Sequence, residues 1–145
     1  METDPKEIFN TRLISALPRK VFSAFEQAEH LKNWWGPKGF TNTFTDFNFV
    51  NDGDWNFIMH SPDGTDYKNT SIFKEIVKPN KIVINHNCPP HFILTINLEE
   101  ENGKTRINWS QVFETVEIRN NIAKLVGNAN EENLDRLEME LALIK

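Results

Sequence analysis

Three side chains able to do chemistry crowd into one short stretch: His86, Cys88 and His91. Imidazole nitrogen and thiolate sulfur are soft donors, and this spacing could bring all three to one ion. A structural zinc site takes four ligands, and the chain offers no second His/Cys cluster to complete the set. The expectation is a strand end and a loop, with no metal. Asp63-Gly64-Thr65-Asp66 gathers only two carboxylates in a tight turn, which suits a hairpin rather than a calcium loop. Neither a Gly-rich phosphate loop nor a nucleophile elbow occurs. Cys88 sits in the Pro-bounded turn Cys88-Pro89-Pro90, away from any predicted helix start that would lower its pKa. No covalent nucleophile and no cofactor are therefore expected. His86 is the one inward-facing candidate for acid–base work.

Binding chemistry is better supplied. Alternation places Phe47, Phe49, Trp55, Phe57, Met59, Phe73, Trp109 and Phe113 toward one side of a sheet. Gln111 and His86 share those faces, and Tyr67 is a further polar contact. Polar groups within an apolar wall orient a guest or hold water. Trp34-Trp35-Gly36-Pro37 adds two indoles at one place. Leu31, Trp34 and Trp35 recur at helical spacing, Gly36 can end a helix and Pro37 cannot continue one. One indole is expected as core and the other at the cavity.

The elements that position these residues follow from the hydrophobic period. A first strand is expected over 7–16. A short helix over 18–26 opens at Pro18, and a second ends at the paired tryptophans. Six strands follow, separated by turn clusters such as Asn51-Asp52-Gly53-Asp54, Ser61-Pro62-Asp63-Gly64, Lys78-Pro79-Asn80-Lys81 and Glu101-Asn102-Gly103-Lys104. In the second strand Thr43, Thr45, Phe47 and Phe49 share a face. In the fourth, Phe73 opposes Ile72 and Ile76. Helical period then returns over 117–143 with Ile118, Ile122, Leu125, Val126, Ala129, Asn133, Leu137 and Leu141 as its apolar stripe. Leu125, Ala129 and Asn133 are expected to face the cavity, with Asn128 as a further polar candidate. Gly127 is expected where the helix comes closest to the sheet or cavity. Hairpin-length turns imply an antiparallel meander. The result is an α+β fold: a curved seven-stranded antiparallel sheet around one long helix, with two short helices after the first strand.

Composition narrows the function. The 145 residues suit one domain. Eleven Phe against one Tyr favour dry interior surface. A net charge of -5 with no basic run argues against nucleic acid. One Cys excludes an internal disulfide, and no apolar run approaches a membrane span or a signal segment. A cytoplasmic protein is expected, with no membrane partner.

Six stretches in order carry a resemblance over nearly the whole chain. They are Ala16-Leu17-Pro18 with Val21 to Phe25, His30-Leu31 through Trp34-Trp35-Gly36-Pro37, Gly53 to Met59 with Ser61 to Gly64, Lys78 to Val83, Asn102 to Arg106, and Leu134-Asp135-Arg136-Leu137. Together they resemble the activator of heat-shock-protein-90 ATPase homologue-like family of the START/Bet v 1-like (SRPBCC) superfamily, which implies the helix-grip fold. Val50, Asp52 and Ala129-Asn130 depart from its pattern. Three functions compete. The first is binding of an apolar or amphipathic small molecule. The resemblance implies two alternatives: a protein-interaction module regulating a chaperone ATPase, and a polyketide cyclase or aromatase-like enzyme. A homodimer and a protein partner are both compatible with the sequence.

Overall fold

The computed structural model describes residues 4–144. The chain runs β1 (Glu7–Ile14), α1 (Pro18–Glu26), α2 (Ala28–Trp34), β2 (Thr41–Phe47), β3 (Gly53–His60), β4 (Asp66–Val77), β5 (Lys81–His86), β6 (Phe92–Glu101), β7 (Lys104–Phe113) and α3 (Val116–Leu141). All neighbouring strands are antiparallel, in the order β1-β7-β6-β5-β4-β3-β2. The hairpin between β6 and β7 turns on Asn102 and Gly103, both at positive φ, as a tight turn between twisted strands requires.

Period explains most of the core. β7 alternates without interruption, burying Thr105, Ile107, Trp109, Gln111 and Phe113. α1 begins with Pro18 in its first turn and buries Val21, Phe22, Ala24 and Phe25. Thr115 caps α3 by accepting from the Ile118 N–H at 3.1 Å.

Two β-bulges overturn the expected faces. One lies between Phe44 and Asp46 in β2. An extra residue shifts the side-chain phase, so Phe44 and Phe47 point the same way and stack at 5.6 Å. The other, between Phe73 and Glu75 in β4, sets Ile76 opposite Ile82 and against the core, on the side of Phe73.

α3 is also buried differently from its expected stripe. Its second half carries the burial through Asn130, Asn133, Leu134, Leu137, Glu140 and Leu141. Leu125 is 73% exposed and Asn128 faces solvent. A Cβ on Gly127 would meet nothing within 4 Å, so the missing side chain is not what lets the helix approach its neighbours. The Gly127 carbonyl does meet β1, accepting from Asn10 Nδ2 at 3.2 Å. The outer side of α3 is tied to β1 by Arg12, whose guanidinium reaches Glu131, Asp135 and Glu138 at 2.7–2.9 Å. These carboxylates are spaced to share one helical face. Burial alone would lower the Arg12 pKa, but the three carboxylates raise it on balance.

Candidate functional site

A cavity of about 270 Å³, partly open to solvent, lies between the sheet and α3. The sheet contributes Trp55, Phe57 and Met59 from β3, Asn69 and Ser71 from β4, Ile84 and His86 from β5, Phe92 and Leu94 from β6, and Trp109 and Gln111 from β7. α3 closes the opposite wall with Val126, Ala129, Asn130 and Asn133. Trp35, Gly36 and Pro37 enter from the end of α2, and Pro90 from the loop after β5.

The two adjacent tryptophans separate because the helix stops between them. Trp34 is the last residue of α2, and Trp35 is already extended at φ -66° and ψ 132°. The expected shared helical face for Leu31, Trp34 and Trp35 is thereby corrected. Trp34 is 1% exposed, donates its indole N–H to the Ala24 carbonyl at 3.0 Å and packs edge-on against Phe25. Trp35 lines the cavity, 5.0 Å from Trp55 and 5.5 Å from Trp109 between ring centres. Gly36 follows at φ 101°, where a Cβ would also come within 2.7 Å of Met59.

Side chains from elsewhere hold this turn. Arg136 on α3 donates through Nη1 to the carbonyls of Trp35, Gly36 and Pro37, and through Nη2 to those of Asn33 and Phe40. Asn42 Nδ2 donates to the Lys32 and Trp35 carbonyls. A helix end leaves its last carbonyls unpartnered, and here β2 and α3 supply the donors. Burial lowers the Arg136 pKa.

The polar part of the wall has two regions. Asn130 Nδ2 donates to Asn10 Oδ1 at 3.0 Å and to Gln111 Oε1 at 3.1 Å. Asn10 in turn donates to Glu131 Oε2 at 2.6 Å, which holds the Glu131 carboxyl below its usual range, with burial opposing and Arg12 assisting. Across the cavity, His86 stacks on Phe92 at 4.3 Å. Its Nδ1 lies 2.9 Å from the Pro90 carbonyl and its Nε2 2.8 Å from Asn69 Oδ1. Burial pushes the His86 pKa down, with the Pro90 carbonyl opposing. A neutral ring has one N–H for these two oxygens. Donation from Nδ1 to Pro90 leaves an Nε2 lone pair, which a turned Asn69 amide or the Cys88 thiol at 3.4 Å can meet.

Of the expected site residues, the structure brings together Trp35, Trp55, Phe57, Met59, His86, Trp109, Gln111, Ala129 and Asn133 around the cavity. The others lie elsewhere. Trp34 is core. Phe73 packs edge-to-face with both Phe47 and Phe49, which stack on each other, and Phe22 of α1 packs edge-to-face on Phe49, so these rings fill the end of the sheet away from the cavity. Phe113 is buried against Phe92. Tyr67 is 50% exposed, and Leu125 is on the outer side of α3. Asn69, Ser71, Phe92, Asn130 and Val126 line the cavity without having been expected there. Phe92 was readable from its place in the alternation of β6. Asn69 and Ser71 share the inward parity of Phe73, four and two residues away. Asn10 and Asn130 carry no local signal. Among the described residues no group of three His, Cys, Asp or Glu is placed to hold a metal ion. No helix there is long and apolar enough to cross a membrane.

A seven-stranded antiparallel sheet curved about a C-terminal helix, with two short helices after the first strand and a cavity between, defines a helix-grip domain of the START/Bet v 1-like (SRPBCC) class. Solved structures share this architecture. A protein of Nitrosomonas europaea matches with a TM-score of 0.89 at 17% identity, covering 100% of both chains. One from Arthrobacter aurescens matches at 0.87 and 21% identity, covering 98% of this chain and 90% of that one. The AHSA1 protein of Silicibacter pomeroyi matches at 0.78 and 18% identity, covering 96% and 99%. The chain belongs to the activator of Hsp90 ATPase homolog 1-like protein family, whose model matches residues 15–142. No curated protein matches it.

Proposed function

We propose that this protein binds a small, largely apolar molecule in the cavity between the sheet and α3. The observation that carries the reading is the wall itself. Three indoles, Phe57, Phe92, Met59, Ile84 and Leu94 enclose about 270 Å³ beside a few fixed polar groups. Concave apolar surface with sparse, placed polar groups is the usual form of a small-molecule site. The turn that carries Trp35 into the wall is fixed by hydrogen bonds from Arg136 and Asn42. The enzyme alternative rests on His86. Both its ring nitrogens already face protein oxygens, so proton transfer to a guest would require breaking one contact. The test is titration with fatty acids, flavonoids and polyketide-like aromatics, following Trp fluorescence and product formation together. Saturable quenching without turnover is the expected result. Turnover lost in His86→Ala would instead favour the enzyme, and no quenching by any compound would defeat the binding reading.

A further inference from the structure

Three amides link the outer side of α3 to the cavity. Asn10 Nδ2 donates to the Gly127 carbonyl and to Glu131 Oε2, both of which can only accept. Asn10 Oδ1 is thereby turned toward Asn130, whose Nδ2 donates to it and to Gln111 Oε1. Each amide orients the next, so Gln111 keeps its oxygen toward Asn130 and its Nε2 outside that chain of bonds.

Gln111 Nε2 has no hydrogen-bond partner among the described residues. It differs from Trp55 Nε1, Trp109 Nε1, Asn42 Oδ1 and Asn133 Oδ1, which are unpartnered but sealed off. Gln111 is 7% exposed, and its Nε2 keeps open surface. The neighbours of Gln111 on the inward sheet face, Ile8, Leu94, Trp109 and Phe113, are all buried. The open part of the amide therefore faces the cavity that Gln111 lines. On the facing helix, Asn133 likewise has an unpartnered and open Nδ2. Against these two donors, the amides of the wall that join α3 to β7 leave one open acceptor, Asn130 Oδ1. Folded proteins pair nearly all their buried donors, so an oriented N–H left open to a cavity marks a place where a guest is held.

Charge and size restrict the guest further. Among the described residues no Lys, Arg, Asp or Glu lines the cavity. The nearby Arg136 is committed to five carbonyls. A carboxylate placed here would be buried without a counter-charge, which is strongly unfavourable. An apolar cavity of roughly 150 Å³ accommodates benzene. The volume here is somewhat less than twice that, enough for about ten to twelve heavy atoms on the same scale.

Resting on the binding reading above, we propose that the guest is a neutral molecule about two fused rings in size, whose acceptor oxygen takes a hydrogen bond from Gln111 Nε2.

Four probes of similar size separate the terms. Indane has no hydrogen-bonding group, 1-indanone has an acceptor only, indole has an N–H donor only, and indane-1-carboxylate is an anion. Calorimetry on the full chain reads their affinities. The ketone 1-indanone should bind about three- to tenfold more tightly than indane, as one added neutral hydrogen bond implies. Indole should fall below 1-indanone, and the carboxylate should come last. Gln111→Met, close in shape but without the N–H, should cancel the advantage of 1-indanone and leave indane unchanged. If that variant does not fold, as judged by circular dichroism, nitrogen-15 NMR of the unaltered chain makes the test. The Gln111 side-chain amide protons should then move downfield with saturating 1-indanone and not with indane. Indane, indole or the carboxylate binding as tightly as 1-indanone, an advantage that survives Gln111→Met, or an unmoved Gln111 amide would overturn the neutral acceptor guest while leaving cavity binding intact. Saturable binding by none of the four would overturn both.

Discussion

Arg136→Ala should destabilise the protein by removing the clamp on the α2 turn. The guanidinium serves five carbonyls, but they do not lose equally. The Trp35 carbonyl keeps Asn42, and the Pro37 carbonyl keeps the Phe40 N–H at 3.1 Å. The Asn33 bond lies at the surface, where water can replace it. The Gly36 and Phe40 carbonyls lose a part-buried partner. At about 1–3 kcal/mol for each buried group left unpaired, and with relief from no longer desolvating a cation, the net loss should be about 2–4 kcal/mol. That corresponds to a fall in Tm of very roughly 5–15 °C for a domain of this size. Arg136→Lys should recover only part, because one ammonium cannot span acceptors arranged for a planar fork. Urea unfolding with an unchanged m-value gives the stabilities, and Trp emission reports on the loosened Trp35. A loss below about 0.5 kcal/mol for Arg136→Ala, within the scatter of ordinary surface changes, would show that the turn holds itself.

Other expectations are independent of that clamp. Trp34→Ala should cost about 3–5 kcal/mol, whereas Trp35→Ala should cost less and weaken probe binding more; paired unfolding and quenching titrations check this. Gly127→Ala should raise stability by about 0.5–1 kcal/mol, since the helix gains a better former and the new methyl meets nothing; a lower Tm would contradict it. Asn130→Ala should cost about 1–3 kcal/mol by withdrawing the donor from Asn10 and Gln111, measured by urea midpoint. Burial lowers the His86 pKa in the folded state. The unfolded chain therefore takes up that proton first as pH falls through the ordinary imidazole value. This contribution should be neutral at higher pH and increasingly destabilising below about 6.5. The slope should flatten in His86→Asn, followed by urea unfolding across pH.

Legibility in the sequence followed physical locality. β7 was readable residue by residue because nothing interrupts its two-residue period from Thr105 to Phe113. α1 was equally plain, from Pro18 to the buried Phe25. Alternation puts Thr43 on the face of Phe47 and Ile76 opposite Phe73, and both readings fail because one inserted residue reverses every side chain beyond it, and neither bulge carries a Gly to mark it. Leu125 has the right helical spacing, yet burial on α3 concentrates beyond it, in the second half. Of the strand aromatics expected on one side, Trp55, Phe57 and Trp109 line the cavity, whereas Phe47, Phe49, Phe73 and Phe113 do not. Which end would be filled and which left open depended on α1, whose Phe22 seats on Phe49. The Asn10–Asn130–Gln111 bonds join residues about a hundred and twenty and about twenty positions apart. No local pattern distinguishes such amides from solvent-facing ones.

The strand order has a consequence for how the chain is made. β1 is synthesised first but pairs only with β7, Glu7 opposite Val112 and Ile14 opposite Thr105. Its partner leaves the ribosome roughly 5–20 s later at ordinary elongation rates. Over that interval the meander from β2 to β6 can form hairpin by hairpin, each strand pairing with the one just made. β1 meanwhile carries Ile8 and Ile14, both destined for the interior, as an unpaired strand tethered to α1 and α2. The return of the amino-terminal strand to the far edge of the sheet therefore waits for β7, and Arg12 meets Glu131, Asp135 and Glu138 only after α3 has emerged. That ion cluster joins the earliest and latest parts of the chain, so it can latch only a fold that is already complete.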